Sequence, residues 1–99
     1  MKENKMSDIK FLHFRNYKMN GELSNLGGIT VAYQKIRDGV FKMAYAHCHP
    51  QDNFSKAIGR IKAAGRLNSP IQSQLVEYSS EKDLVADERD IQFPYRLKG

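Results

Sequence analysis

The chain has 99 residues, 40% of them hydrophobic, with one cysteine and a net charge of +5, which suits one domain with a thin core. No apolar run approaches the ~18–20 residues of a membrane span, the basic amino terminus has no apolar h-region behind it, and Cys48 alone forms no internal disulfide. A transmembrane protein, a secreted disulfide scaffold, a multidomain enzyme and a full Rossmann or barrel fold are excluded.

Ile9, Phe11, Leu12 and Phe14 predict a strand over 9–15. A turn-rich stretch follows, in which Gly27-Gly28 reads as a turn because no Lys-Ser/Thr makes it a phosphate loop. Residues 29–36 (ITVAYQKI) and 40–48 (VFKMAYAHC) are rich in β-branched and aromatic residues and flank Asp38-Gly39. That dipeptide predicts a two-residue type I′ hairpin turn, with positive φ at both central positions. One face then pairs Ile36 with Phe41, Gln34 with Met43, Ala32 with Tyr45 and Thr30 with His47. The other pairs Tyr33 with Ala44, Val31 with Ala46 and Ile29 with Cys48, a shallow bed for a helix. Lys35 falls opposite Lys42.

A helix is predicted over 53–67. Asp52 or Asn53 serves as N-cap, and Phe54, Ala57, Ile58, Ile61 and Ala64 recur at helical spacing. Ser55, Gly59 and Ala63 form a stripe of small residues, which predicts close approach by another backbone or a ligand. Gly65 or Asn68 stops the helix before Pro70. Ser69-Pro70-Ile71-Gln72 resembles a capping box and predicts a short helix over 70–78, with a strand at 75–78 as the competing reading. Residues 80–88 read as helix or loop, and 91–95 as a short edge strand ended by Pro94. The fold class is α+β: an antiparallel hairpin and small sheet, strands near 9–15, 29–36 and 40–48, packed on a basic amphipathic helix. Residues 1–99 form a single domain.

The charge is unevenly distributed. Residues 54–68 carry Lys56, Arg60, Lys62 and Arg66 and no acid, whereas 69–90 carry six acids against two bases. Lys56 and Arg60 are at i, i+4, as are Lys62 and Arg66, and such pairs repel unless an anion lies between them. Arginine offers a planar fork matched to phosphate oxygens. Two readings follow: an anion- or phosphate-binding helix, or a solvated basic face partly neutralised by the acidic segment. Arg60, Arg66 and Lys56 are the phosphate candidates, Phe54, Tyr45 or Phe93 supply stacking, and Asn53 or Asp90 supply polar contacts.

His47 and His49 share a strand face and approach the His-x-His-x-Asp-His pattern of metallo-β-lactamase-type hydrolases. Asp52 stands one position late, the last histidine is missing, and too few ligands remain, so no metal and no cofactor are expected. Cys48 among apolar residues reads as a small hydrophobe rather than a nucleophile. No carboxylate pair has a spacing suited to acid–base work, so no enzyme is predicted.

The order of strand, Asp-Gly turn, strand, then Asp52-Asn53-Phe54-Ser55-Lys56, Gly59-Arg60 and Gly65-Arg66-Leu67 resembles the Thoeris anti-defence family of phage-encoded sponge proteins. The resemblance covers roughly residues 28–67. It implies a protein that binds a cyclic ADP-ribose isomer or a cyclic oligonucleotide intact, in pockets between subunits, in the cytoplasm of the infected bacterial host. The Arg89-Asp90 step looks like a ligand-contacting pair of that family. The alternative is a small nucleic-acid-binding regulator that lays the 53–67 helix along a phosphate backbone. The thin core and small-residue stripe predict at least a homodimer, with higher assemblies possible.

Overall fold

The computed structural model describes residues 8–92. In chain order it contains β1 (Lys10–Phe14), β2 (Leu26–Arg37), β3 (Val40–Asn53), α1 (Lys56–Leu67), β4 (Gln74–Glu77) and α2 (Glu81–Ile91). The strands form one antiparallel sheet in the order β1-β2-β3-β4, so the architecture is α+β.

The hairpin forms where expected, but its turn differs. Gly39 has φ +82°, whereas Asp38 is not in the positive-φ region, so the type I′ requirement is unmet. A bulge lies between Lys35 and Arg37, and beyond it Lys35 pairs with Phe41, Tyr33 with Met43 and Ala32 with Ala44. The register is one residue away from the type I′ expectation, and a one-residue slip exchanges the two faces of β2. Thr30 and Ala32, not Val31 and Tyr33, therefore share a face with Ala44 and Ala46. Lys35 is not opposite Lys42; it pairs with Asp38 at 3.0 Å, and Gln34 faces Lys42.

Helix α1 lies on the small-residue face, in a core of Ile9, Ala32, Ala44, Ala46, Ala63, Ala64 and Leu67. Ser55, rather than Asp52 or Asn53, is the N-cap, accepting a hydrogen bond from the Ile58 amide, and Asn68 is the C-cap. The reason is that β3 does not stop at Cys48. Gly28 pairs with Cys48 and Leu26 with Asn53, so residues 49–52 bulge against Gly27. Gly27 and Gly28 thus lie within β2 and not in a turn. Gly59 is set down on β2: a Cβ there would come within 2.2 Å of Thr30 Oγ1. The close approach foreseen for the small-residue stripe is with the chain's own sheet.

The opposite face holds Phe14, Ile29, Val31, Tyr33, Phe41, Met43 and Leu84. Helix α2 covers it and supplies Leu84, which is fully buried. Ser69 does cap a turn, with its hydroxyl accepting from the Gln72 amide at 3.3 Å, but the turn does not become a helix. The strand reading holds, because Val76 packs under α2 and β4 pairs with Val40–Met43. Ile91 closes α2 rather than opening a strand, and 93–95 lie outside the described residues.

Candidate anion-binding site

The first half of α1 sits above the seam of β1 and β2 and beside the end of β3. On the β1 side, His13 pairs in register with Thr30, and its Nδ1 is 2.9 Å from Thr30 Oγ1. The Phe54 ring meets the His13 ring edge to face at 5.8 Å. The Arg15 guanidinium lies over the same Phe54 ring at 5.7 Å and donates to the Ser24 carbonyl and to Asn25 Oδ1. Arg15 Nε is buried without a hydrogen-bond partner. Burial, together with Lys56 and Arg60 nearby, pulls the His13 imidazole down to about 4. The ring is therefore neutral at pH 7, beneath two cations.

On the β3 side a cleft of about 380 Å³ opens between α1 and the 48–53 segment, with Cys48, Asn53, Phe54, Ile58, Gly59 and Lys62 on its walls. The Cys48 thiol donates towards the carbonyls of Asp52 and Asn53, each 3.5 Å away. Ile58 and Ile61 stay exposed on the outer side of α1. Among the described residues no ion pair forms on Lys56, Arg60 or Lys62.

The acidic segment does not neutralise this helix, because α2 lies across the sheet. Three of its carboxylates are bound to tyrosines: Tyr33 donates to Glu81 at 2.7 Å, Tyr45 to Glu88 at 2.6 Å, and Tyr78 to Asp87. Lys10 completes the Glu81 cluster at 3.1 Å. Glu88 is only 1% exposed, and Gln92 Nε2 donates to its other oxygen at 3.3 Å. Burial and the Glu88 hydrogen bond push the Tyr45 hydroxyl well above the ordinary phenol range.

Of the residues singled out from sequence, Asn53, Phe54, Lys56 and Arg60 gather at the start of α1. Arg66 is half-buried near the helix end and donates to the Tyr45 carbonyl at 3.0 Å, beyond the reach of β4. Tyr45 points to the α2 face, so within one protomer it does not stack on a molecule held by α1. Arg89 and Asp90 are also on α2, with Arg89 lining a shallow depression beside Lys82 and Val85. Phe54 is engaged by Arg15, His13 and Gly28, which leaves its cleft-facing edge rather than an open ring face. Phe93 lies outside the described residues. His13 and Arg15 escaped the sequence reading of the site, and Lys62 entered it as one of the paired cations of the helix but not among the phosphate candidates. The signal for the first two is the i, i+2 spacing, which in the predicted strand 9–15 would put both on one face.

His47 and Cys48 alternate across β3, and among the described residues no three His, Cys, Asp or Glu side chains converge as a metal set. Among the same residues no helix is long and apolar enough to cross a membrane. Comparison with protein-family models, with curated proteins and with solved structures finds no match for this chain.

Proposed function

We propose that the protein binds a nucleotide-derived anion through α1 and the cleft beside it, and that it holds the molecule without cleaving it. The observation that carries this reading is the set of cations Lys56, Arg60 and Lys62 on α1, exposed and without ion pairs among the described residues, with Lys62 on the cleft wall. Uncompensated like charges on one helix raise its free energy until an anion lies between them. Phosphate oxygens match the Arg60 fork, and the cleft with Phe54 and Ile58 offers an apolar wall for a base or ribose. The resemblance to the Thoeris anti-defence sponges gives the molecular class: a cyclic ADP-ribose isomer or a cyclic oligonucleotide, sequestered in the cytoplasm of an infected bacterium.

On this reading the assembly is at least a homodimer. Arg89 and Asp90 lie across the sheet from α1, so a pocket that uses both sets is completed only by another copy. Sedimentation equilibrium at tens of micromolar tests this part, and a monomer contradicts it.

Incubation with cyclic ADP-ribose isomers and cyclic trinucleotides, heat denaturation and mass spectrometry of the supernatant test the whole. Recovery of unmodified ligand is expected. A hydrolysed product makes the protein an enzyme and overturns the proposal. The same cations suit a nucleic-acid backbone, and binding to duplex or single-stranded DNA with a steep salt slope and length-dependent affinity would favour that reading instead.

A further inference from the structure

We infer that His13 is the proton-linked member of the α1 anion site: an anion bound across Lys56 and Arg60 draws a proton onto the imidazole beneath them. The inference rests on the reading of α1 as an anion-binding helix, and adds to it a residue from another strand and a pH dependence.

The geometry carries it. Thr30 Oγ1 is both the atom on which Gly59 is set down and the partner of His13 Nδ1. His13 therefore lies next to Gly59, and Lys56 and Arg60 flank Gly59 on the helix. The hydroxyl of Thr30 can donate or accept, so the bond to Nδ1 survives protonation, with Nδ1–H then donating. Around the ring, β2 contributes Thr30, the segment before α1 contributes Phe54, and α1 contributes Lys56 and Arg60. Arg15, just past the end of β1, lies over the same Phe54 ring. The charged groups facing His13 are thus all cationic, and among the described residues no carboxylate is hydrogen-bonded to it. Without a bound anion, a proton on His13 would be a third positive charge beside two that form no ion pair among the described residues. An anion reverses the sign of that field, and the barrier to protonation falls. Linkage requires the converse: the protonated protein binds the anion more tightly, by the same factor.

The test is a histidine ring NMR titration of the full chain in sodium sulfate, against sodium chloride of matched ionic strength. Sulfate keeps both charges throughout the range, so any change belongs to the protein. The His13 signal is identified by its loss in His13→Gln. Saturating sulfate is expected to raise the His13 midpoint by about half a unit or more. Sulfate affinity is then expected to grow about threefold as pH falls through that midpoint, a growth that His13→Gln lacks. Should His13→Gln fail to fold, Lys56→Gln and Arg60→Gln give the same information, because each is expected to raise the His13 midpoint without any anion. Sulfate binding that Lys56→Gln abolishes, with the His13 midpoint unmoved, overturns the inference and leaves the anion reading standing. No sulfate binding, with the His13 midpoint the same in both lysine and arginine variants as in the wild type, overturns both.

Discussion

Tyr33, Tyr45 and Tyr78 tie the sheet to α2 through Glu81, Glu88 and Asp87, and Leu84 seals the layer between them. Across the sheet, α1 is held by Ala63, Ala64 and Leu67 on a floor of Ala32, Ala44 and Ala46, and its cations at 56, 60 and 62 are exposed and form no ion pair among the described residues. The two helices carry opposite charge in similar amounts, yet α2 ties three of its carboxylates into the fold, whereas on α1 only Arg66 is so used, through the Tyr45 carbonyl. A charge already satisfied inside the protein has little left to offer a ligand, and an unsatisfied one is available. On the proposed reading, α1 offers the free cations to a ligand, whereas α2 uses most of its carboxylates in the fold.

The largest effect is expected from Gly59→Leu. Its side chain has no room above Thr30, so α1 must lift from the sheet, at a cost of about 3 kcal/mol or more. Urea unfolding measures it, and the loss belongs to the fold before it belongs to any assembly. Tyr45→Phe comes next, because it removes a donor from the buried Glu88 and is expected to cost about 2 kcal/mol. The same change leaves anion binding at α1 intact. Comparable losses of binding and stability in Tyr45→Phe would erase the distinction between the faces.

The faces also differ in the pH that loosens them. Tyr33 and Tyr45 are raised above the ordinary phenol range by burial first and their carboxylate partners second, and Tyr78 is pushed up to about 12 by its bond to Asp87. Phenols raised in the fold stabilise it fully below their unfolded value of about 10 and lose that contribution as pH climbs towards the folded one. Alkali is therefore expected to free α2 first, with phenolate absorbance rising alongside the loss of helical circular dichroism, and Tyr45→Phe should blunt the coupling. Acid acts on the other face. His13 is depressed from 6.5 to about 4, so its contribution is present above the first value and lost as pH falls through the second. The ring is half-exposed, and salt reduces the effect. A smaller change in the opposite direction is expected from Gly65→Ala. A Cβ at position 65 meets nothing within 4 Å, so the variant should gain about 0.5–1 kcal/mol by helix propensity.

Much of this was legible in the sequence. Alternation along β3 separated Ala44 and Ala46 from Phe41, Met43 and Tyr45, and helical spacing found α1 but misplaced its buried face: Ala57, Ile58 and Ile61 are exposed, and Ala63, Ala64 and Leu67 carry the packing. The faces of β2 were not legible from the Asp-Gly dipeptide. A two-residue and a three-residue loop both accept it, and only the φ of Asp38 decides between them. The run Ile29–Gln34 gave no correction, since it buries both of its faces. Ser69 capped a single turn because Val76 gains more by pairing in the sheet under α2 than a short helix could supply. The polar ties of α2 stayed hidden because each joins residues far apart in the chain or across a turn, where spacing carries no message. Charge counting suggested that the basic and acidic segments meet, but a sheet lies between them.

The most direct test compares Lys56→Gln/Arg60→Gln with the wild type by calorimetric titration against the anion that the ligand screen identifies, alongside thermal melting. The double variant should melt within about 0.5 kcal/mol of the wild type, as surface changes without partners do. Its affinity should fall at least about tenfold, the equivalent of ~1.4 kcal/mol. A double variant that binds as tightly as the wild type, or that loses affinity only by unfolding, would contradict the assignment of the anion site to α1.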